Sequence, residues 1–180
     1  VVSDECYIEL GWDETPVSAL AVCDGDPAGI ITVQSLSKRS NLAGVRAGFY
    51  AGDQEIVGFL RSVRQHAGLM VPGPVQEAVA AAYRDDTHVN LQRDIYRRRL
   101  ELVRTGLVAA GIDTPMPEGT FYLWGRGAEG NGFATAQMLA ERSGLVVSPG
   151  ELYGDAGAPY VRVAVVQPDE LLQRAVDRLT

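Results

Sequence analysis

The sequence predicts an α/β fold in which the C-terminal half of a larger domain, with a mixed, mostly parallel sheet, precedes a small α+β domain. Three observations support this prediction. Residues 30–34 form a short apolar run rich in β-branched side chains, which is typical of a buried strand. Residues 54–66 repeat apolar side chains with helical spacing. Strand-like and helix-like segments alternate again after residue 112, which favours helices layered on a sheet.

Residues 1–75 are predicted to belong to the larger domain. In order, the patterns predict a buried strand at 1–3, loops at 4–12 and 13–29, a buried strand at 30–34, a polar loop at 35–45, a strand at 47–51 and a helix at 54–66. The chain opens on Val1 and Val2, without a methionine and inside an apolar segment. Because the first residues of a domain are usually loose, we expect the chain to be the C-terminal part of a longer one.

The remaining residues are predicted to form connecting helices over 76–111 and a small domain over 112–180. In order, the patterns predict helix over most of 75–110 with a break near 85–87, a strand at 121–124, a helix at 134–142, strands at 145–148 and 160–166, and a helix at 168–179. Gly111 and Gly144 stand where helices commonly end.

The composition excludes several classes of protein. Fifteen arginines and a single lysine stand against 23 acidic residues, and the net charge of −7 is a poor match for nucleic acid. Two histidines and two distant cysteines do not form a zinc site of ordinary spacing, and no metal is predicted. No apolar run reaches about 18 residues, so no membrane span is predicted. Two cysteines do not make a disulfide framework, which favours the cytoplasm.

The one lysine lies in the most informative stretch of the sequence. Lys38 follows the predicted strand at 30–34, in a loop that also carries Ser35 and Ser37, and Arg46 comes eight residues later. A surface loop with solvated charges is the alternative interpretation. Open α/β sheets, however, bind ligands at the carboxyl ends of their strands, so this position favours a ligand site.

Three motifs of the sequence stand in a specific order. They are Asp4-x-x-Tyr7, then Ser35-x-Ser37-Lys38-x₇-Arg46, then Arg162 within YVRVAVV. In residue types, separation and order, this set resembles the fold-type I aminotransferases that use pyridoxal phosphate, over essentially the whole chain. The resemblance implies the second half of that family's large domain, followed by its small domain.

The resemblance implies roles for the residues around the cofactor ring. Lys38 would hold the cofactor as a Schiff base and carry protons between it and the substrate α-carbon. Asp4 would face the pyridine nitrogen and favour its protonated form by attraction between opposite charges. Tyr7 would donate a hydrogen bond to the phenolic oxygen of the cofactor.

The resemblance also implies how the charged ends of the ligands are held. Arg46 would bind the cofactor phosphate, with Ser35 and Ser37 adding hydroxyl contacts. Arg162 would hold the substrate α-carboxylate with two parallel hydrogen bonds, which a lysine cannot imitate. A structural ion pair is the alternative for Arg162, since an arginine within an apolar strand is costly unless it is paired.

Four longer sequence segments narrow the resemblance to one group within the family. The segments SDECYIELGW, VQSLSKRSNLAGVRAGFYAGD, RQHAGLMVPGPVQEA and EGTFYLW are similar to the actinobacterial N-succinyldiaminopimelate aminotransferases. That similarity implies a cytoplasmic homodimer that moves an amino group from glutamate to the small keto acid N-succinyl-2-amino-6-oxopimelate in lysine biosynthesis. Arg39 and Arg64 are candidates for its distal anionic group, although a solvated face is the preferred interpretation of both.

Other functions remain open at this level. Another class I/II aminotransferase or a pyridoxal-phosphate β-lyase would share the same lysine and arginine frame. A non-catalytic domain that retains the fold is the alternative from a different class. Because the resemblance places further cofactor contacts in an N-terminal half, we expect the 180 residues alone to be inactive. Cys6, next to Asp4, is interpreted as a packing residue rather than a reactive thiol.

Overall fold

The computed structural model describes residues 1–180, which form two compact units. The first unit comprises Val1–Gln92 and the second Arg93–Thr180, with the boundary inside the long helix Thr87–Ala109. The combination of small sheets and helices is the α/β architecture that the sequence predicts. The predicted division into residues 1–75, 76–111 and 112–180 stays a prediction.

A three-stranded mixed sheet forms the centre of the first unit. Its strands, in pairing order, are β1 (Val2–Asp4), β2 (Ile31–Ser35) and β3 (Gly48–Gly52). β1 runs parallel to β2, whereas β3 runs antiparallel to it. β2 is therefore the central strand, and its last residue leads directly into the segment that carries Lys38.

Three helices belong wholly to the first unit. They are α1 (Leu36–Arg39), α2 (Gln54–His66) and α3 (Gly73–Tyr83). α2 has the bounds that the sequence predicts, because Asp53 caps it by accepting hydrogen bonds from the amides of Glu55 and Ile56 at 2.8 and 3.1 Å. Its apolar face stays partly open to solvent, with the Phe59 side chain 68% exposed.

The short helix α1 corrects the prediction of a loop over residues 35–45. The Ser35 hydroxyl accepts a hydrogen bond from the Ser37 amide at 3.1 Å and so caps the first turn. Leu36, at the start of α1, is 1% exposed and anchors the turn in the core. A single turn is too short to show apolar periodicity, so the sequence pattern could not reveal it.

The first strand also differs from its prediction. Val1 and Val2 are 81% and 74% exposed, so the prediction of a buried strand at residues 1–3 is wrong for this chain. β1 is an edge strand that pairs with β2 alone, and no helix covers its apolar side chains. An apolar pattern reports that a strand is suited to burial, whereas actual burial requires a second packed layer.

The second unit combines an antiparallel sheet with three helices. In chain order its elements are α4 (Thr87–Ala109, shared with the first unit), β4 (Tyr122–Arg126), α5 (Gly132–Ser143), β5 (Ser148–Pro149), β6 (Tyr160–Ala164) and α6 (Asp169–Leu179). β6 is the central strand between β4 and β5. The fully buried side chains come from the helices and both long strands and include Leu100, Leu107, Leu123, Leu139, Val161, Val163, Leu172 and Leu179.

One strand of the second unit lies later than predicted. The apolar run at 145–148 predicts a strand there, but only Ser148 and Pro149 pair with β6. Val146 is 91% exposed and lies before the first residue that pairs in the sheet, Ser148. None of the helices of the structure combines the length and the apolar character that crossing a membrane requires.

Candidate functional site

The segment after β1 carries the first pair of predicted site residues, Asp4 and Tyr7. The Asp4 carboxylate accepts hydrogen bonds from the Cys6 backbone amide at 3.1 Å and from the Cys6 thiol. These two bonds lower the pKa of Asp4 below its usual value, so the carboxylate is ionised at neutral pH. Asp4 therefore presents a stable negative charge at the carboxyl end of β1.

A buried glutamate that the sequence prediction missed fixes this segment in place. The Glu5 carboxylate accepts hydrogen bonds from the Ser18 hydroxyl at 3.0 Å, the Ala19 amide at 2.9 Å and the Gln34 side chain at 2.9 Å. Glu5 is 7% exposed, and these donors replace the water that the carboxylate loses on burial. Its position directly after Asp4 gave no sign of this role, because its donors lie 13 to 29 residues away.

Lys38 lies in α1, half-buried, close to the segment that carries Asp4 and Tyr7. Its Nζ atom is 5.8 Å from the centre of the Tyr7 ring. Its positive charge also acts on Cys6, whose pKa is nevertheless raised to about 11, first by burial and then by the hydrogen bond to Asp4. The structure thus brings the amine of Lys38, the phenol of Tyr7 and the anion of Asp4 into one region.

Ser35, Ser37 and Arg46 line a single cleft of about 830 Å³ in the first unit. Arg46 directs one guanidinium nitrogen to the backbone carbonyl of Ala43, which accepts a hydrogen bond at 2.7 Å. Arg46 itself adopts the left-handed backbone conformation, with φ of 55°, at the end of a 3₁₀ turn over Ala43–Val45. A non-glycine residue held in that conformation often marks a functional constraint.

The cleft has no acidic side chain in its lining, although the chain as a whole is acidic. It contains two arginines, Arg46 and Arg64, and Arg64 donates a hydrogen bond to the carbonyl of Leu69 at 2.6 Å. Gln34, Gln76 and Tyr50 add polar groups to the lining. Two guanidinium groups without a facing carboxylate make this cleft suited to anionic ligands.

Arg162 lies on β6 in the second unit, between two aromatic rings. The carbon at the centre of its guanidinium is 4.3 Å from the ring centre of Tyr122 and 4.6 Å from that of Tyr153. The expected alternative was a structural ion pair, yet aromatic faces flank the guanidinium. Two rings at these distances restrict the guanidinium, and a planar guanidinium is a group that can bind a carboxylate with two hydrogen bonds.

Arg39 differs most from the sequence prediction. A solvated face was the preferred interpretation, but Arg39 is 6% exposed. Its guanidinium donates hydrogen bonds to Glu9 at 3.3 Å, to the carbonyl of Ala82 at 2.9 Å and to Asp86. The prediction is wrong because the partners of Arg39 come from segments that are remote in sequence. Arg64 is half-buried and lines the cleft, rather than lying on a fully solvated face.

The chain belongs to the aminotransferase class I and II family, whose sequence model matches residues 1–179. Members of this family use pyridoxal phosphate, the cofactor that the sequence motifs predict. The fold, with β2 leading into the lysine-bearing turn, agrees with the membership.

The relatives that the chain resembles are named for more than one substrate. The chain is 50% identical over 182 residues to the 4-dedimethylamino-4-oxo-anhydrotetracycline transaminase OxyQ of Streptomyces rimosus. The alignment covers 100% of this chain and 50% of that protein. It is 33% identical over 183 residues to an LL-diaminopimelate aminotransferase of Nitratidesulfovibrio vulgaris. That alignment covers 99% of this chain and 47% of the relative. The chain thus spans about half the length of the curated relatives it matches.

Solved structures show the same architecture. An aminotransferase from Neisseria meningitidis superposes with a TM-score of 0.87 at 32% identity, over 99% of this chain and 48% of that one. The sequence family and the fold therefore agree with each other, while the substrates named for the relatives differ.

Proposed function

We propose that the whole protein is a pyridoxal-phosphate-dependent aminotransferase and that Lys38 carries the cofactor. The observation that carries the proposal is the position of Lys38, the one lysine of the chain. Its amine lies 5.8 Å from the Tyr7 ring, and the neighbouring Ser37 lines a cleft free of acidic side chains. Amine, carboxylate, phenol and phosphate-binding groups are the donor set that this cofactor needs, so the residues present fit it.

The first unit would hold the cofactor at both ends. Pyridoxal phosphate, when bound, supplies a ring that accepts electrons from the α-carbon of an amino acid. Asp4, kept ionised by Cys6, would hold a proton on the ring nitrogen. Arg46 would bind the phosphate, while the hydroxyls of Ser35 and Ser37 reach into the same cleft.

Proton movement and substrate orientation fall to three further side chains. Tyr7 would donate a hydrogen bond to the ring oxygen of the cofactor. The Lys38 amine would take a proton from the substrate α-carbon and would deliver it to C4′ of the cofactor. Arg162, held between Tyr122 and Tyr153, would bind the α-carboxylate and so orient the α-carbon for that transfer.

We further propose that the acceptor is N-succinyl-2-amino-6-oxopimelate and that glutamate is the amino donor, in diaminopimelate biosynthesis. One feature of the cleft and one group of relatives favour an anionic acceptor of diaminopimelate biosynthesis. Arg64 supplies a second cationic group in the cleft, which suits an acceptor with anionic ends. Relatives at 33% identity are LL-diaminopimelate aminotransferases, whereas the relative at 50% identity is named for a tetracycline precursor. The whole protein is proposed to act as a cytoplasmic homodimer.

Trapping of the cofactor tests the first proposal. The full-length protein should show visible absorption from bound cofactor, and borohydride reduction followed by peptide mass spectrometry should locate the adduct on Lys38. Lys38→Ala should abolish the adduct, and Lys38→Arg should do the same, because a guanidinium does not form the required bond. An adduct that persists in Lys38→Ala would remove Lys38 from this role.

A substrate panel tests the second proposal. With glutamate as donor, the succinylated acceptor should give a higher kcat/KM than unsuccinylated keto acids, with 2-oxoglutarate as the product. Arg64→Gln should raise KM for the succinylated acceptor, whereas Arg61→Gln, an exposed neighbour on α2, should not. Ammonia and pyruvate from a suitable amino acid would instead identify a β-lyase, and preference for an unsuccinylated acceptor would reject the proposed substrate.

A further inference from the structure

The lysine-bearing helix α1 has only four residues, Leu36–Arg39. A single helical turn is not stable on its own, because nucleation fixes several backbone dihedrals for one hydrogen bond. Leu36 holds one end in the core, and the Ser35 cap satisfies one amide. Both contacts lie before Lys38, so the direction of the Lys38 amine also depends on what holds the residues after it.

Arg39, the residue directly after Lys38, tethers the end of α1 through its side chain. It is 6% exposed and bonds in three directions, to Glu9, to the Ala82 carbonyl and to Asp86. Its guanidinium also lies 5.1 Å from the ring centre of Tyr83. The planar group is therefore fixed in orientation as well as in position.

The partners of Arg39 come from both sides of the site. Glu9 follows Tyr7 in the 3₁₀ turn over Ile8–Leu10, at the end of the segment that begins with Asp4. Asp86 lies in the connection between α3 and α4, and Ala82, in the last turn of α3, supplies its carbonyl. Arg39 thus links α1 both to the segment that begins with Asp4 and to the end of α3 with its following connection.

Ser40, the residue after Arg39, makes a second connection to the segment between α3 and α4 through His88. His88 accepts or donates at both ring nitrogens, with Nε2 2.9 Å from the Ser40 hydroxyl and Nδ1 2.9 Å from the Asp85 carboxylate. The adjacent acids of the α3–α4 connection therefore both act on α1, Asp86 directly through Arg39 and Asp85 through His88 and Ser40. Arg39 and Ser40 thus provide two consecutive tethers immediately after Lys38.

Stability alone gives a weak reason for a buried arginine here. Burying a guanidinium costs several kcal/mol, and replacement of buried ion pairs by apolar side chains is often neutral or stabilising. Placement of a catalytic amine is a different matter, because a displacement of about 1 Å can cost roughly 100-fold in rate.

We propose that Arg39 is a positioning residue that sets the direction of the Lys38 amine relative to Asp4 and Tyr7. The inference rests on the proposed function of Lys38. Arg39 would contact neither substrate nor cofactor. It acts through Glu9 and Asp86, which hold it from opposite segments.

The test compares Arg39→Gln and Arg39→Lys in the full-length enzyme. Arg39→Gln should lower kcat by about 10-fold to 100-fold with little change in KM. It should also raise the pH midpoint of the cofactor's absorption titration by more than about 0.5 unit, since Glu9 and Asp86 then favour the protonated nitrogen of the Schiff base on Lys38. Arg39→Lys restores the charge but not the planar fork, so the midpoint should return towards the wild-type value while kcat stays low.

Arg99→Gln is the matched control, because Arg99 is 16% exposed and pairs with Asp169 at 2.5 Å within the second unit. It should lower the melting temperature without moving the absorption midpoint or kcat. Arg39→Gln with wild-type midpoint and kcat would overturn the inference, as would an equal kinetic effect of Arg99→Gln.

A milder variant covers the case in which Arg39→Gln does not fold. Asp86, whose side chain is 76% exposed, can be changed to Asn with little risk to folding. Asp86→Asn should lower kcat several-fold and move the absorption midpoint, and wild-type values for both would overturn the inference. Absence of a Lys38 adduct in the wild-type enzyme would instead reject the proposed function, so the two failures are distinguishable.

Discussion

The Cys6 thiol donates a hydrogen bond to the Asp4 carboxylate, two residues earlier in the chain, and changes the pKa of both groups in opposite directions. The pKa of Asp4 falls because its charged form gains a donor. The pKa of Cys6 rises to about 11 because burial and the nearby carboxylate both disfavour the thiolate. The pair therefore gives a firmly ionised acid next to an unreactive thiol.

Cys6 should consequently resist alkylation near neutral pH. With a pKa of about 11, only about one molecule in a thousand carries the thiolate at pH 8. Mass spectrometry of the Cys6 peptide after iodoacetamide treatment should show a rate that keeps rising beyond pH 9. In Asp4→Asn the rate at pH 8 should increase, because the neighbouring negative charge is gone. A rate that levels off near pH 8 in the native protein would contradict this.

Arg162 should not tolerate replacement by lysine. Arg162→Lys keeps the charge but loses the planar group between Tyr122 and Tyr153, along with its paired hydrogen bonds. We expect KM for the amino acid to rise by about 10-fold to 100-fold, as charge-assisted hydrogen bonds contribute about 1.5–3 kcal/mol. Arg126→Lys, on the exposed end of β4, should leave KM unchanged. Steady-state kinetics of the full-length enzyme measure both, and similar values for the two variants would exclude this role.

Gly48 should be sensitive to the smallest added side chain. A Cβ atom at Gly48 would lie 2.2 Å from the carbonyl oxygen of Gln34, in the β2–β3 pairing beside Ser35. Gly48→Ala should lower the free energy of unfolding by about 1–3 kcal/mol, because backbone atoms must move apart.

Gly44 provides the control for Gly48. A Cβ atom at Gly44 would meet nothing within 4 Å, so Gly44→Ala should be neutral or stabilising by up to about 1 kcal/mol. Denaturant unfolding compares the two variants. Because Gly48 faces Ser35, its variant should also bind the cofactor more weakly, and equal stability of both variants would refute the predicted clash.

Asp85 should make stability depend on pH in the acid range. The hydrogen bond from His88, and then that from the Thr87 amide, lowers the pKa of Asp85 from 3.8 to about 2. A carboxyl whose pKa is lower in the folded state stabilises the fold above pH 3.8, and this contribution disappears as the pH falls to about 2.

Asp85→Asn should therefore be less stable than the native protein at pH 7, and the difference should close between about pH 4 and pH 2. Denaturant unfolding of the full-length protein at a series of pH values measures this. Glu118→Gln, at an exposed position, serves as the control and should show no such closing gap. A constant difference down to pH 2 would mean that Asp85 acts through something other than its charge.

Local signals in the sequence predicted much of the fold. The helix over residues 54–66 has its predicted bounds because Asp53 caps it and its apolar spacing runs without a break. The apolar run at 145–148 was misplaced as a strand, because apolar β-branched residues fit a sheet whether or not a partner strand lies opposite. Local patterns determine which conformation a segment can adopt, and pairing determines how much of it does.

The residues of the candidate site likewise fall into those that local sequence indicated and those that depend on distant contacts. The residue types of Lys38, Arg46 and Arg162 indicated chemistry because each is unusual in its local setting. The burial of Arg39 and Glu5 could not be predicted, since both depend on donors and acceptors from distant segments. Supporting contacts of this kind leave no trace in a short window of sequence.

The tethering of Arg39 also bears on the order of events during folding. Its carboxylate partners, Glu9 and Asp86, are 30 and 47 residues away along the chain, in opposite directions. Contacts that close loops of this size carry a larger entropic cost than a helical turn and form late on the folding route. The β1–β2 pairing, which registers Val2 with Ile31, closes a loop of similar size, so we expect the Arg39 contacts to form together with the sheet rather than with the isolated turn α1.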